Sequence, residues 1–201
     1  MAITDYASLQ ASVANWLHRA DLTAVIPDFI SLAESKMAAD VDARPMDISV
    51  TLNCTAGNPL VALPTDMLEM RRLLLVTDPS IVLKYATPDQ IASDYPLSLS
   101  SRPSVFAVLG ANLQLAPIPD SDYTLSLDYK QRIPALSVSN TTNWLLTAFP
   151  NAYLYGALCA AQPYMVNDDR LPLFMSLYQE AVAGINAIDW YSGSTMRVRA
   201  R

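Results

Sequence analysis

The sequence predicts an α+β protein in which helices at both ends of the chain flank a block of short strands. Apolar residues recur three and four positions apart near both ends, which is the spacing of one helix face. In the middle, apolar and polar residues alternate, which is typical of half-buried strands. Tight turns such as Ala56-Gly57-Asn58-Pro59 favour an antiparallel sheet. The predicted architecture is a helical bundle of two N-terminal and two C-terminal helices, with an inserted antiparallel β-rich region and an extended C-terminal arm.

Two helices are predicted before residue 46. The first spans about residues 5–19, with Thr4 or Asp5 as its N-cap. Its apolar stripe consists of Tyr6, Leu9, Val13, Trp16 and Leu17. Pro27 suits the first turn of the second helix. Arg44-Pro45 ends that helix, because the residue before a proline is disfavoured in the α region.

The β-rich region is predicted from alternation and turn residues. The predicted strands cover residues 48–54, 60–63, 73–76, 81–85, 104–109, 113–116 and 123–130. The second strand is predicted to pair back on the first through the turn at Ala56, and tight turns predict hairpins at Thr77 and Gly110. Thr87 and Gln90 form a capping box that predicts a short helix. The polar stretch from Pro134 to Asn143 is interpreted as a linker.

Two further helices are predicted near the C-terminus. One spans about Asn151 to Met165, contains no charged residue and is therefore expected to be buried on all sides. The other spans about Arg170 to Trp190, with Asp168 or Asp169 as its cap. The predicted domains are a helical domain (1–45 and 144–190), a β-rich insertion (46–143) and a docking arm (191–201).

The composition favours a subunit that hides apolar surface. Hydrophobic residues make up 52% and charged residues 16% of the 201 residues, whereas soluble domains usually carry about 25% charged residues. Subunit interfaces and a well-packed monomer both explain this composition, and the interface is favoured. No membrane span is predicted, and Met1-Ala2-Ile3-Thr4-Asp5 is not expected to be a signal peptide. Without its last three arginines the chain carries 10 basic and 19 acidic residues, so its body should repel nucleic acid.

Catalytic, metal and cofactor sites are not expected. His18 is the one histidine, and Cys54 and Cys159 are far apart, so no metal-ligand cluster or nucleophilic triad is predicted. The two cysteines are interpreted as free thiols, although a disulfide stays open. The carboxylate pair Asp120/Asp122 is interpreted as turn residues, and the pair Asp168/Asp169 as helix N-cap residues. The glycines do not form a phosphate loop, so no cofactor is predicted.

The C-terminal part of the chain carries the candidate interaction residues. Aromatic residues are enriched at interfaces, so Tyr155, Tyr178, Trp190 and Tyr191 are candidates for a contact between subunits, with core packing as the alternative. In the arm, Thr195, Arg197, Arg199 and Arg201 would share one side of an extended strand, opposite Met196, Val198 and Ala200. Such a segment can add to a sheet edge of a partner. A frayed terminus is the alternative.

The chain resembles the adaptor, or head-to-tail connector, proteins of short-tailed bacteriophages (podoviruses) over nearly its full length. The resemblance rests on four stretches and on the tail that begins at Tyr191. The stretches are Thr4-Asp5-Tyr6-Ala7-Ser8-Leu9 with Ala14-Asn15-Trp16-Leu17; Ile26-Pro27-Asp28-Phe29-Ile30 with Leu32-Ala33-Glu34; Leu63-Pro64-Thr65-Asp66-Met67; and Tyr153-Leu154-Tyr155-Gly156-Ala157-Leu158.

The resemblance implies a structural virion protein without enzymatic activity. Such adaptors form a dodecameric ring between the portal protein and the tail nozzle or tube, and line the channel through which the genome is ejected. The C-terminal arm reaches the portal, which implies portal contacts for Ser194, Thr195, Met196, Arg197, Val198, Arg199 and Arg201. Contact with genomic DNA would be transient, and no membrane partner is implied.

Three alternatives remain open from the sequence. One is a tail-associated protein that hydrolyses cell wall with a pair of carboxylates. Another is a head-completion or neck protein of another tail type. The third is a DNA-binding protein that uses the arginines of the arm.

Overall fold

A computed structural model describes residues 2–19, 21–96, 98–165 and 170–188. Across these residues the chain forms six α-helices and eight strands, most of them paired antiparallel, so the predicted α+β class is confirmed. The chain divides into two compact units. Residues 47–132 form the β unit, and the residues before and after them form the helical unit. The contacts of residues 133–143 group them with the helical unit. The predicted domain boundaries at residues 46 and 143 stay predictions.

The α-helices are α1 (Tyr6–Leu17), α2 (Ile26–Asp40), α3 (Pro88–Asp94), α4 (Trp144–Ala148), α5 (Pro150–Ala161) and α6 (Leu171–Ile188). All of them except α3 belong to the helical unit. Short 3-10 helices cover Arg44–Met46 and Gln162–Tyr164.

Capping residues explain where the first helix begins. The Asp5 carboxylate accepts a hydrogen bond from the Ser8 backbone N–H at 2.8 Å, and the Ser8 hydroxyl accepts one from the Asp5 N–H at 2.9 Å. This capping box satisfies two of the N–H groups that a helix leaves unpaired at its start. The helix ends at Leu17, two residues earlier than predicted, because His18 adopts a left-handed conformation with φ of 53°.

Two other predicted helix ends are wrong. Helix α2 ends at Asp40, not at Arg44-Pro45, because Val41 is already extended. Helix α5 begins at Pro150 and ends at Ala161, where a 3-10 turn that contains Pro163 replaces the last predicted turn. Helix α4 was not predicted. The proposed caps of α6, Asp168 and Asp169, lie outside the described residues.

Helix α5 lies at the centre of the helical unit. It packs against α1, α2, α4 and α6, and Gly156 lets it approach its neighbours closely. A Cβ at this position would lie 2.7 Å from Met37 Cε, 3.2 Å from Ala33 Cβ and 3.3 Å from Tyr178 Cε2. The absence of charge from α5 fits its central position. The predicted burial on all sides is not complete, because Asn151 is exposed and Tyr155, Cys159 and Ala160 are half-buried.

The β unit contains two four-stranded sheets. Its strands are β1 (Asp47–Cys54), β2 (Leu60–Ala62), β3 (Met67–Leu75), β4 (Ile81–Val82), β5 (Lys84–Tyr85), β6 (Val105–Leu109), β7 (Asn112–Ala116) and β8 (Tyr123–Gln131). The first sheet has the order β1-β8-β3-β4 and the second the order β2-β7-β6-β5. One hydrophobic cluster contains side chains of both sheets, among them Leu73, Leu125, Leu127, Leu113 and Leu115.

The strand pairing differs in part from the prediction. Strand β1 pairs with β8 and β2 pairs with β7, so the predicted β1–β2 hairpin is wrong. Strands β5 and β6 are parallel. The hairpins β3–β4 and β6–β7 are confirmed, as is the capping box of α3, in which the Thr87 side chain accepts from the Gln90 N–H.

Candidate docking surfaces

Most of the interaction residues predicted from the sequence lie outside the described residues. These are Trp190 and Tyr191, together with the arm residues Ser194, Thr195, Met196, Arg197, Val198, Arg199 and Arg201. Their roles stay predictions. Of the interaction residues, Tyr155 and Tyr178 are described, and the structure places them in different environments.

Tyr178 is a core residue of the helical unit, with 1% of its surface exposed. Its hydroxyl donates a hydrogen bond to Asp40 Oδ2 at 2.9 Å, and Lys36 Nζ lies 4.7 Å from the centre of its ring. Burial and the Asp40 carboxylate raise the pKa of this phenol. These contacts hold α6 against α2. Since Tyr178 is almost fully buried, it offers almost no surface to a partner. Its role in an interface stays a prediction.

Tyr155 belongs to an aromatic cluster formed by α1, α5 and α6. The Trp16 ring makes edge-to-face contacts with Tyr155, at 6.1 Å between ring centres, and with Phe174, at 6.2 Å. The Arg170 guanidinium lies 5.6 Å from the centre of the Phe174 ring. Trp16 remains 43% exposed, although it was predicted as part of the apolar stripe of the first helix. Neighbouring helix positions differ by about 100°, so Trp16 lies at the margin of a stripe whose centre is occupied by Leu17.

A depression lies beside Trp16. It has a volume of about 280 Å³ and is lined by Ile3, Ser12, Asn15, Trp16 and Leu154. Tryptophan, tyrosine and arginine dominate the binding energy of many interfaces. The Trp16 surface, defined as these lining residues with Tyr155, is therefore the candidate interface of the helical unit. Trp16 was predicted as part of an apolar helix stripe and not as an interface residue.

A buried polar network fixes the segment that was interpreted as a linker. Glu34 Oε1 accepts hydrogen bonds from the Leu136 N–H at 2.7 Å and from the Tyr153 hydroxyl at 3.3 Å. Asn143 donates to the Tyr153 hydroxyl at 2.6 Å and to the Pro134 carbonyl at 2.8 Å. The same side chain caps α4 by accepting from the Leu146 N–H at 2.8 Å. Leu136 and Asn143 therefore anchor the segment to the helical core, whereas its other residues are exposed or half-buried.

Burial raises the pKa of Glu34 above its ordinary value of 4.5, and the hydrogen bonds from Leu136 and Tyr153 oppose this effect only in part. A carboxyl whose pKa is higher in the folded state stabilises the fold when protonated and loses that contribution as pH rises through the folded pKa. We expect the wild type to lose stability relative to Glu34→Gln as pH rises from 4.5 towards neutrality. Urea unfolding of both proteins across this range measures the difference, and a wild type that gains stability relative to the variant would contradict the expectation.

In the β unit, Asp66 anchors the end of β8. Its carboxylate accepts hydrogen bonds from the Tyr129 hydroxyl at 3.0 Å and from Gln131 Nε2 at 2.6 Å. Burial opposes ionisation here, but these two hydrogen bonds hold the pKa of Asp66 below its ordinary value. Burial and the Asp66 carboxylate raise the pKa of Tyr129 to about 12. The Leu63-Pro64-Thr65-Asp66-Met67 stretch thus has a structural role.

Strand β1 is the edge of its sheet and presents two different rows of side chains. Ser49, Thr51 and Asn53 are exposed, whereas Ile48, Val50 and Leu52 are only half-buried. Every residue of β1 has a partner on β8, with no shift of register. Within the described β unit, the backbone groups of β1 that face away from β8 make no hydrogen bond to the backbone of another strand.

The groups considered for chemistry have structural roles where they are described. Asp120 accepts from the Tyr123 hydroxyl at 2.7 Å, and Asp122 accepts from the Ala56 N–H at 2.8 Å, so both serve turns. The His18 backbone closes α1. Cys54 and Cys159 are free thiols, and burial raises the pKa of each.

No group of three or more histidine, cysteine or acidic residues in the described ranges could hold a metal ion. Among the helices described, none combines the length and hydropathy that crossing a membrane requires.

A family model described as SU10 adaptor protein matches residues 4–199 of the chain. The chain belongs to the SU10 adaptor protein family. The predicted relation to phage adaptor proteins is therefore confirmed. No curated protein sequence matches the chain significantly. As a member of this family, the chain is a structural protein of a phage virion.

As an SU10 adaptor, the chain belongs to the phage head–tail connector, which implies portal and tail partners in general. The Trp16 surface lies on the helical unit and the β1 edge on the β unit. The family match also covers most of the arm, up to residue 199.

Proposed function

We propose that this SU10 adaptor forms a ring, with twelve copies as in the adaptors it resembles, between the portal protein and the tail nozzle or tube of a short-tailed phage. The observation that supports this proposal is the family match over residues 4–199, which covers both units and most of the arm. In this position the ring lines the channel through which the genome is ejected, and its contact with DNA is transient. Its role is structural rather than enzymatic.

The charge of the chain supports a channel that does not retain DNA. The net charge is -6, and the three positive charges of Arg197, Arg199 and Arg201 lie close together at the end of the arm. The remainder of the chain is therefore more acidic than the whole. An acidic surface repels phosphate at distances comparable to the screening length, about 8 Å at physiological ionic strength. DNA can then pass without binding tightly.

The contact between copies is proposed to include the Trp16 surface. Tyr155 and the partly exposed Trp16 form its aromatic part, and Ser12 and Asn15 supply polar groups at the adjacent depression. Aromatic anchors next to a pocket are typical of interface hot spots. The predicted contributions of Trp190 and Tyr191 belong to the same proposal.

The arm is proposed to bind the portal through Ser194, Thr195, Met196, Arg197, Val198, Arg199 and Arg201. An extended segment that alternates apolar and basic residues can add to a sheet edge of the portal while its arginines pair with carboxylates. The arginine side chains give the contact its dependence on charge.

Mixing the protein with the portal ring of the same phage tests the proposal. We expect native mass spectrometry to show a portal ring that carries a matching ring of adaptor copies. A chain that ends at Ser194 should fail to bind, since it lacks the alternating segment. The matched control replaces Thr195, Met196, Val198 and Ala200 by serine and retains the arginines. It therefore distinguishes the contribution of the four replaced side chains to portal binding from that of the arginine charges. A truncated chain that still binds the portal would exclude the proposed role of the arm, and a wild type that never associates would exclude the adaptor ring.

A further inference from the structure

The β1 edge has the properties of a strand that accepts another strand. It is eight residues long, and its register with β8 runs without interruption from Asp47 to Cys54. The other edge of the same sheet, β4, has two residues. A long and regular edge offers a full row of N–H and C=O groups for pairing.

The β1 strand itself also lacks the local features that normally prevent pairing. Sheet edges are usually protected by lysine, proline, a bulge or a very short strand. Strand β1 contains no lysine, no proline and no bulge, and its only charged residue is Asp47 at its start. The inner strand β3, in contrast, carries two register shifts. The half-buried row of Ile48, Val50 and Leu52 leaves apolar surface beside the edge.

The pattern of residues 195–201 matches this edge. A strand added beside β1 would continue both faces of the sheet. Its apolar row of Met196, Val198 and Ala200 would lie beside Ile48, Val50 and Leu52, three positions against three. Its other row of Thr195, Arg197, Arg199 and Arg201 would lie beside Ser49, Thr51 and Asn53. Seven extended residues span about 23 Å and eight span about 27 Å, so the lengths also agree.

The charges are complementary. Residues 195–201 carry three arginines and no acidic residue, whereas the β unit has nine acidic and six basic residues. Asp47, on β1, already pairs with Arg71 at 3.3 Å, and Asp128, opposite Ser49, pairs with Arg72 at 2.6 Å. The attraction for the arginines therefore rests on the net negative charge of the β unit. A hydrogen bond from Ser49 and the nearby Arg72 hold the pKa of Asp128 below its ordinary value, although burial opposes this, so the carboxylate is charged.

We infer that the β1 edge binds residues 195–201 of a second copy as an additional strand in the protein free of portal. The inference rests on the proposed function in one respect, since the same segment is proposed to dock on the portal. A copy that binds the portal therefore releases the β1 edge of its neighbour. Pairing between copies keeps the segment ordered until its portal site is present.

Charge substitutions on the exposed row of β1 test the inference. Thr51 is exposed, so lysine or glutamate at this position leaves the core unchanged. Sedimentation velocity of the wild type should show concentration-dependent self-association. Thr51→Lys should raise the dissociation constant about fivefold for each like-charged neighbour, and Thr51→Glu should lower it by a similar factor. Arg197→Glu with Arg199→Glu should restore the association of Thr51→Lys. A wild type that stays monomeric, or equal affinities for the two Thr51 variants, would overturn the inference.

A mixing experiment determines whether the segment binds a second copy. One variant keeps the segment but carries Ser49→Lys and Thr51→Lys, and the other lacks residues 195–201 but keeps the native β1. Each alone should be monomeric, and their mixture should form a one-to-one complex. A mixture that stays monomeric would overturn the assignment to a second copy. Portal binding is measured on the same samples. If the β1 substitutions and the deletion of residues 195–201 leave the affinity of self-association unchanged, while the wild-type protein still binds portal rings, this inference is overturned and the proposed function stays intact.

Discussion

Replacing Gly156 by leucine is expected to lower the free energy of unfolding of the helical unit by about 3 kcal/mol, at the upper end of the usual cost of overpacking. A Cβ alone would already lie 2.7 Å from Met37 Cε and 3.2 Å from Ala33 Cβ. Met37 can move its flexible end, but the Ala33 Cβ is fixed to the α2 backbone. The added side chain must therefore separate α5 from α2. Urea unfolding followed by tryptophan fluorescence measures the change.

Tryptophan fluorescence reports on the correct unit because Trp16, Trp144 and Trp190 all lie outside residues 47–132. Gly184 provides the matched control, since a Cβ at this position of α6 meets no atom within 4 Å. Gly184→Leu should leave stability equal or raise it by about 0.5–1 kcal/mol, because leucine favours a helix more than glycine does. If Gly156→Leu and Gly184→Leu change the free energy of unfolding equally, the close approach of α5 to α2 does not require glycine at position 156.

Replacing Asn143 by alanine is expected to lower the stability of the helical unit by about 3 kcal/mol. The side chain caps α4 through the Leu146 N–H and donates to both the Pro134 carbonyl and the Tyr153 hydroxyl. Asn143 is 8% exposed, so water cannot easily replace these partners. Both the lost cap and the buried groups left without a partner contribute to the cost.

The exposed Asn151 is the control for this substitution, because it lies in the first turn of α5 and faces solvent. Asn151→Ala should change stability by less than about 0.5 kcal/mol. Amide hydrogen exchange adds a second measurement. Asn143→Ala should increase exchange at Leu136 and Leu146, whose N–H groups bond within this network. Unchanged protection at both amides would contradict the role assigned to Asn143.

Local sequence signals predicted the elements that depend on neighbouring residues. Asp5 and Thr87 mark helix starts because a cap needs only a side chain and the N–H groups two or three residues away. The β6–β7 hairpin was predictable because its turn contains Gly110, whose φ of 60° is easily adopted by glycine. In both cases the physical cause lies within a few residues of sequence.

The candidate surfaces were less predictable. Trp16 fits an apolar stripe, and its exposure depends on how α5 and α6 leave the margin of α1 uncovered. The alternating pattern of β1 predicted a half-buried strand, but the pattern is the same for an edge strand and an inner strand. Its position at the edge depends on pairing with β8, which is more than 60 residues away. Such pairing is determined by burial across the whole unit rather than by local preference.

The sequence by itself determined the α+β class, the caps of α1 and α3 and two hairpins, because each depends on local periodicity and local hydrogen bonds. Only the tertiary structure decided that β1 pairs with β8 rather than β2, and that Glu34, Asn143 and Tyr153 anchor a polar segment to the core. The physical reason is that these contacts join residues distant in sequence. Their stability comes from apolar surface and polar groups that are buried only once the whole unit has folded.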